Sequence, residues 1–343
     1  MSEPTRLPLN TPRRFYRGGE RILDFRGLET PADFDGHRPE DWLASTTCLF
    51  AEGGDGVTVL PDGATLPEVL AGDPDFWLGP EHVAAHGIEP GLLTKLLDAG
   101  ERLPVHSHPD RAFAAAHLDC EHGKTEAWIV LDAAPGASVW LGFRDELPAD
   151  ELAALVEAQD ERLLEALNRV EVQAGDTVLV PVGQPHAIGE GVFVLELQEP
   201  TDLSVMLEHR RFGVEEAHAF LGLTVDRALE SVDRGPLTTE ALASLRRRWT
   251  DVSGTGHALP EQSTAFFRAE VMRATAEAPA TGEAGFAVVV VVAGAGTLAT
   301  SEPGTASPRA TEVGRGDVLL VPYGAGTVTL EGDVTVVRCM PAV

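Results

Sequence analysis

The sequence predicts a mainly β protein of two jelly-roll barrels, with helices confined to an insertion and a connector. Three observations carry this. Short β-like runs alternate with turns along a chain of 343 residues that holds 35 glycines and 24 prolines. GDTVLVPVGQPH at 175–186 recurs as GDVLLVPYGAGT at 316–327, a constant offset of 141 residues. A repeated strand–turn unit is the sign of a duplicated barrel, and at this length each half can bury its own core.

Taken in order, residues 1–100 alternate β-like runs (ERILDFRGL, STTCLFAEGG, GVTVLPDG) with brief helices at LPEVLAGDP and GPEHVAAHG. GLLTKLLDAG then leads into LPVHSHP. PDRAFAAAHLDCEHG carries helix-favouring alanines and reads as an insertion. LPADELAALVEAQDERLLEALNRV has leucines at helical spacing among charges, which predicts a helical insertion at about 148–168. VFVLELQEP puts Val194, Glu196 and Gln198 on one strand face and Phe193, Leu195 and Leu197 on the other. EEAHAFLGL through LASLRRRW is a helical connector. FAVVVVVAGAG is too short to span a bilayer and reads as a buried strand. The expected division is a first barrel with its N-terminal region over 1–215, a connector over 216–262 and a second barrel over 263–343.

The chemistry gathers in the first copy. His106 and His108 are two apart, so on an extended strand both imidazoles leave one face. In GKTEAWIVLD, Lys124, Glu126 and Trp128 share a face. His186 follows an apolar strand that runs into a Pro/Gly-rich turn. Three neutral imidazoles and a carboxylate suit one divalent metal, zinc first, with manganese or iron as alternatives. In the repeat Pro181 and Gly183 return as Pro322 and Gly324, but His186 becomes Thr327, and no Glu answers Glu126. One metal site per chain is expected, in the first barrel only.

With 54 acidic against 26 basic residues the net charge is −28. Such a surface repels nucleic acid and anionic membranes. It also opposes an anionic substrate, so a phosphosugar would need a local basic pocket. Cys48, Cys120 and Cys339 are too few and scattered for a disulfide framework. With no apolar secretory core in MSEPTRLPLN, reduced thiols in the cytoplasm are expected. His117, His122 and His209 are expected at the surface.

The order His-x-His, Glu, Gly-Asp, Pro-x-Gly, His is the metal signature of the cupins. LLTKLLDAGERLPVHSHPD, GKTEAWIVLDAAPGASVWLGF, LLEALNRVEVQAGDTVLVPVGQPHAIGEG and VFVLELQ resemble type I phosphomannose isomerases in their short bacterial form. The resemblance covers roughly residues 90–200, with weaker echoes at YRGGERILDF and PEDWLAST. It implies a bicupin with one zinc, held by His106, His108, Glu126 and His186, and the interconversion of mannose 6-phosphate and fructose 6-phosphate. It places Lys124 on the family's active-site lysine and Glu196 on an acidic position. Three departures stand out: His106 replaces a glutamine, Pro104 a serine and Met206 an arginine. Arg210 and Arg211 lie close to the last of these; Arg210 and Gln198 are the candidate substrate-binding residues.

The expected mechanism is metal-assisted isomerisation, the metal stabilising an enediolate as a Lewis acid while Glu196 moves a proton between C1 and C2 and Lys124 steadies charge. Other readings are an isomerase of another, even unphosphorylated, sugar, a metal-dependent cupin oxygenase, and a non-catalytic sugar-binding cupin.

Overall fold

The computed structural model describes residues 4–50, 55–302 and 308–342. Its first half is a sandwich of two antiparallel sheets. Six strands run in the order Arg246–Arg248, Asp176–Val180, Glu126–Ala133, Val192–Gln198, Leu93–Asp98 and Glu40–Leu43. Five more run in the order Val205–Met206, His106–Ser107, His186–Ile188, Ser138–Phe143 and Leu167–Glu171. Trp128 and Leu195 of the first sheet share one apolar core with Val139, Leu141 and Ile188 of the second. Val192–Gln198 pairs on both sides and is buried throughout, which is why its polar members, Glu196 and Gln198, had to find partners inside.

The second half is one eight-stranded sheet built around Phe267–Ala274, Ala287–Ser301, Val318–Val321 and Thr327–Pro341. Side chains alternate across a strand. Val288 and Val290 accordingly join the core shared with the first barrel, while Val289 and Val291 join a separate one with Leu319 and Val336. Burial on both faces accounts for the unbroken valine run.

The repeat is legible in the pairing. Val180 stands opposite Glu126, and Val321, 141 residues on, stands opposite Ala287. Ala287 therefore holds the place of Glu126 in the second copy. Thr327, the counterpart of His186, is exposed at the start of the last strand. The halves also exchange edges: Thr5–Arg6 pairs with the second-half strand at Leu319 and Leu320, and Arg246–Arg248 with the first-half strand at Asp176–Val178. Where the halves meet, Gly79 (φ 92°) lies against the Tyr323 ring, where a Cβ would come within 2.9 Å of it.

Several local expectations are corrected. ERILDFRGL is a helix, Glu20–Phe25, and not a strand; Asp98 accepts the backbone N–H of Gly19 and of Arg21 at its start, and Ile22, Leu23 and Phe25 are buried. The described part of STTCLFAEGG forms no strand, and residues 51–54 lie outside the described residues. GVTVLPDG makes only an isolated bridge, Val59 to Thr65. The long helix of the insertion stops at Ala158, where Gln159 turns left-handed (φ 53°). A single turn, Arg162–Glu165, follows before the strand Leu167–Glu171. Gln159 has a reason to break the helix: its amide donates to the carbonyl of Leu207 and its oxygen accepts from the N–H of His209 and of Arg210, which fixes the loop beside the cavity. The connector holds three short helices, Glu216–Ala219, Val225–Leu229 and Thr239–Ser244, and ends in the edge strand already described. LPEVLAG is helical as expected, opened by a capping box between Thr65 and Glu68.

Candidate metal centre and its cavity

Strand pairing sets His106 directly opposite His186, with His108 two residues further along. Glu126 opens its strand on the facing sheet. The three rings meet edge-to-face or tilted, with centroids 4.1 to 4.9 Å apart, and one ligand nitrogen from each lies within 4.8 Å of the others.

Each ring is oriented the same way. His106 Nδ1 is 2.9 Å from the carbonyl of Pro104, His108 Nδ1 2.8 Å from that of Leu203, and His186 Nδ1 2.8 Å from that of Gln184. A carbonyl only accepts, so each Nδ1 carries the proton and each Nε2 presents a lone pair inward. Glu126 Oε2 is then 2.9 Å from His108 Nε2 and its Oε1 3.3 Å from His186 Nε2. These are acceptors facing acceptors. His186 Nε2 and Glu126 Oε2 are buried with no hydrogen-bond partner, a rare arrangement in a native interior. A divalent cation bound by three nitrogens and a carboxylate satisfies every one of them, so the residues present fit the expected metal.

The electrostatics agree. Burial, reinforced by His186 and His108, pushes His106 well below the ordinary imidazole value. Burial and then the neighbouring Lys124 pull His108 down to about 3. Burial opposes ionisation of Glu126, yet His108, Lys124 and His186 hold its carboxyl well below the usual range. Neutral imidazoles and an ionised carboxylate are the ligand forms.

Beside this centre lies a cavity lined by His106, Lys124, Glu126 and Glu196 among others. Its floor is the inner face of the six-stranded sheet. Gln198 pairs with Glu126, Glu196 with Lys95, and Lys95 in turn with Trp42, so Glu126, Glu196, Lys95 and Glu40 form a continuous charged row. Lys124 Nζ is 3.2 Å from His108 Nε2 and 3.5 Å from Glu126. Lys95 Nζ is 3.0 Å from Glu196 and 3.7 Å from Glu40. Glu40 also accepts from the Tyr16 hydroxyl and the Trp42 indole. Arg14 approaches Glu40 at 3.4 Å and forks onto Asp202 at 3.1 and 3.2 Å. Burial works against Glu40, but Arg14, Lys95 and the two hydrogen bonds outweigh it and hold the carboxyl at about 2. Burial works against Lys95 as well, and Glu196 and Glu40 raise it above its ordinary value.

Of the residues expected from the sequence, His106, His108, Glu126, His186, Lys124 and Glu196 converge here, and Pro104 and Met206 line the cavity. Gln198 is buried but turned away, donating to the carbonyls of Glu199 and Thr201. Arg210 is exposed in the short turn Arg210–Phe212 and does not line the cavity; Arg211 lies over Phe212 on the same turn. The guanidinium that reaches the cavity is Arg14, from the N-terminal segment. His209 is buried against Phe220, contrary to expectation, because its Nδ1 bonds the Val214 carbonyl. Sequence reasoning missed Arg14, Tyr16, Glu40, Lys95 and Asp202. A signal existed for some: Lys95 interrupts the apolar run LLTKLL, and Tyr16 and Glu40 fall inside the two weaker echo segments.

No family model matches the chain. It is 35% identical over 206 residues to the mannose-6-phosphate isomerase of Streptococcus mutans, a match spanning 59% of each chain. It is 29% identical over 322 residues, 92% of each chain, to the mannose-6-phosphate isomerase ManA of Bacillus subtilis. In three dimensions it resembles the mannose 6-phosphate isomerase of Bacillus subtilis with a TM-score of 0.73, at 22% identity and covering 98% of this chain and 99% of that one. A putative mannosephosphate isomerase of Archaeoglobus fulgidus superposes with a TM-score of 0.74, at 20% identity, over 99% and 98% of the two chains. The converging histidines, the repeated strand–turn unit and these likenesses make the chain similar to mannose-6-phosphate isomerases and give it their fold.

Proposed function

We propose that the protein is a metal-dependent aldose–ketose isomerase that moves a proton between C1 and C2 of a hexose of the mannose–fructose pair. One observation carries the reading: a buried carboxyl, Glu196, lines one cavity with His106 and Glu126, two members of the converging set of three imidazoles and a carboxylate. The skeleton comes from the relatives, whose names specify mannose 6-phosphate, the substrate the resemblance also implies, with fructose 6-phosphate as product. The cofactor proposed is one divalent metal, zinc first, held by His106, His108, Glu126 and His186. When bound, it would polarise the sugar's carbonyl and hydroxyl oxygens as a Lewis acid.

The chain's own residues supply the rest. Burial first, and the nearby Glu126 after it, lift Glu196 to about 8 against the pull of Lys95. A carboxyl poised near neutrality can both take a proton from one carbon and return it to the next. Lys95 holds it in place at 3.0 Å. Lys124, beside the metal ligands, steadies negative charge on a substrate oxygen. Leu97, Ile188 and Met206 supply apolar lining that limits water. The partner is a small-molecule sugar, and the net charge of −28 opposes nucleic acid. Among the described residues no helix is long and apolar enough to cross a membrane; we place the protein in the cytoplasm. The test is NMR of C2 proton exchange in deuterated water with zinc-loaded protein and the mannose–fructose pair, free and 6-phosphorylated. Exchange that disappears in Glu196→Gln is the expected result, and its absence with every one of these sugars would end the isomerase reading.

A further inference from the structure

We infer that Arg14 anchors the substrate: its guanidinium meets a phosphate on C6 of the hexose while C1 and C2 lie at the metal ligands. The inference rests on the isomerase reading and deepens it by naming a residue that selects the substrate. The charged row on the cavity floor has two ends. Glu126 and Lys124 mark the end beside the imidazoles. From there the row runs through Glu196 and Lys95 to Glu40, and Arg14 closes it, 3.4 Å from Glu40. Lys124 is kept at the reacting end, 3.2 Å from His108, and Lys95 lies between two carboxyls in the middle. Among the described residues that line the cavity, Arg14 is the one cation at the far end. That end also faces outward. Arg14, Phe15 and Asp202 line both the cavity and an outer groove that includes Arg13, Val214 and His218. A sugar phosphate entering from the groove leads with its reacting carbons and leaves its phosphate at the mouth.

Arg14 can bind a phosphate without leaving Asp202. A guanidinium has five N–H donors. Asp202 takes one from each terminal nitrogen, at 3.1 and 3.2 Å, and so fixes the plane of the fork. Arg14 Nε is buried without a hydrogen-bond partner. The donors left over suit a phosphate, and Asp202, 9% exposed, is a positioning residue. The hydroxyls of Tyr16 and Ser204 also line the cavity, but Tyr16 donates to Glu40 and Ser204 lies 3.4 Å from His108. Met206, where the resemblance expects an arginine, carries no charge, so the N-terminal segment supplies the guanidinium instead. With a divalent metal bound, its two charges and the three cations of the lining outnumber the four carboxyls. The interior then accepts an anion despite the net charge of −28.

Two measurements test this on zinc-loaded protein. One is the kinetics of mannose 6-phosphate turnover. The other is calorimetric titration with glucitol 6-phosphate, which has no carbonyl to isomerise. Arg14→Gln is made in an Asp202→Asn background, so that no buried carboxylate is stranded, and compared with Asp202→Asn alone. The expected result is a rise of about 10- to 100-fold in KM and in the dissociation constant, with kcat little changed. Arg14→Lys in the native chain keeps the charge opposite Asp202 but loses the fork, and should move both constants the same way by a smaller factor. Constants unmoved in both variants, or a loss confined to kcat, overturn the inference and leave the isomerase reading standing. Binding of glucitol 6-phosphate that depends on Arg14, in a native protein that exchanges no C2 proton, does the reverse.

Discussion

Lys95 Nζ lies 3.0 Å from Glu196 Oε2, with the two side chains 4% and 3% exposed on neighbouring strands of the barrel floor. Burial alone would neutralise such a pair. The strand register also brings Glu40 to the far side of Lys95, at 3.7 Å, and the two carboxyls keep the lysine charged, while burial still lifts Glu196 to about 8. The arrangement fixes the Glu196 carboxyl, which lines the cavity with His106 and Glu126.

Glu196→Gln keeps the size and burial of the side chain and removes its base. The expected outcome is a loss of about 10²- to 10⁴-fold in kcat with little change in KM, while metal content by elemental analysis stays native. A variant with normal turnover would remove Glu196 from the proton path.

The converging acceptors predict about one metal per chain after purification with the metal supplied. The double substitution His108→Ala with His186→Ala removes two of the three imidazoles, and metal should be lost on dialysis. Elemental analysis of both proteins decides; two equivalents in the native chain would contradict the replacement of Glu126 and His186 by Ala287 and Thr327 in the second barrel.

His106→Gln exchanges an imidazole, pre-set by the Pro104 carbonyl, for a neutral amide of weaker donor strength. Affinity in a chelator competition should fall by about 10- to 100-fold, with the unfolding transition of the metal-free protein nearly unmoved. An unchanged affinity would place His106 outside the ligand set.

Glu40 gives a pH prediction. Its carboxyl is held at about 2 in the folded protein against an ordinary 4.5. A depressed carboxyl contributes stability that is full above the unfolded value and is lost as pH falls toward the folded one. That difference corresponds to about 3 kcal/mol at neutral pH. Glu40→Gln should therefore lower unfolding stability by roughly that amount at pH 7. The gap between native and variant should narrow as pH falls from about 4.5, to under half by about pH 3. Denaturant unfolding at several pH values measures it, and a gap that stays constant would mean that the ionised carboxylate contributes nothing.

The sequence by itself determined the repeated strand–turn unit and the four side chains, His106, His108, Glu126 and His186, that converge in the first half. Both are written in short-range terms: the two-residue period of a strand brings His106 and His108 to one face, and a 141-residue offset repeats a strand and its turn. It also determined that the second copy carries no counterpart of His186. The tertiary structure decided what surrounds those four side chains. Arg14, Tyr16, Glu40, Lys95 and Asp202 come from segments far apart in the chain, and only strand register and the return of the N-terminal segment bring them together. A lysine or glutamate in a strand reads the same whether it meets water or an opposite charge, so its role cannot be read from its neighbours in sequence. Arg210 shows the converse: it stands close in sequence to Met206, yet the turn at Arg210–Phe212 points it outward, and Arg14 reaches the cavity instead because a folded chain measures proximity across sheets.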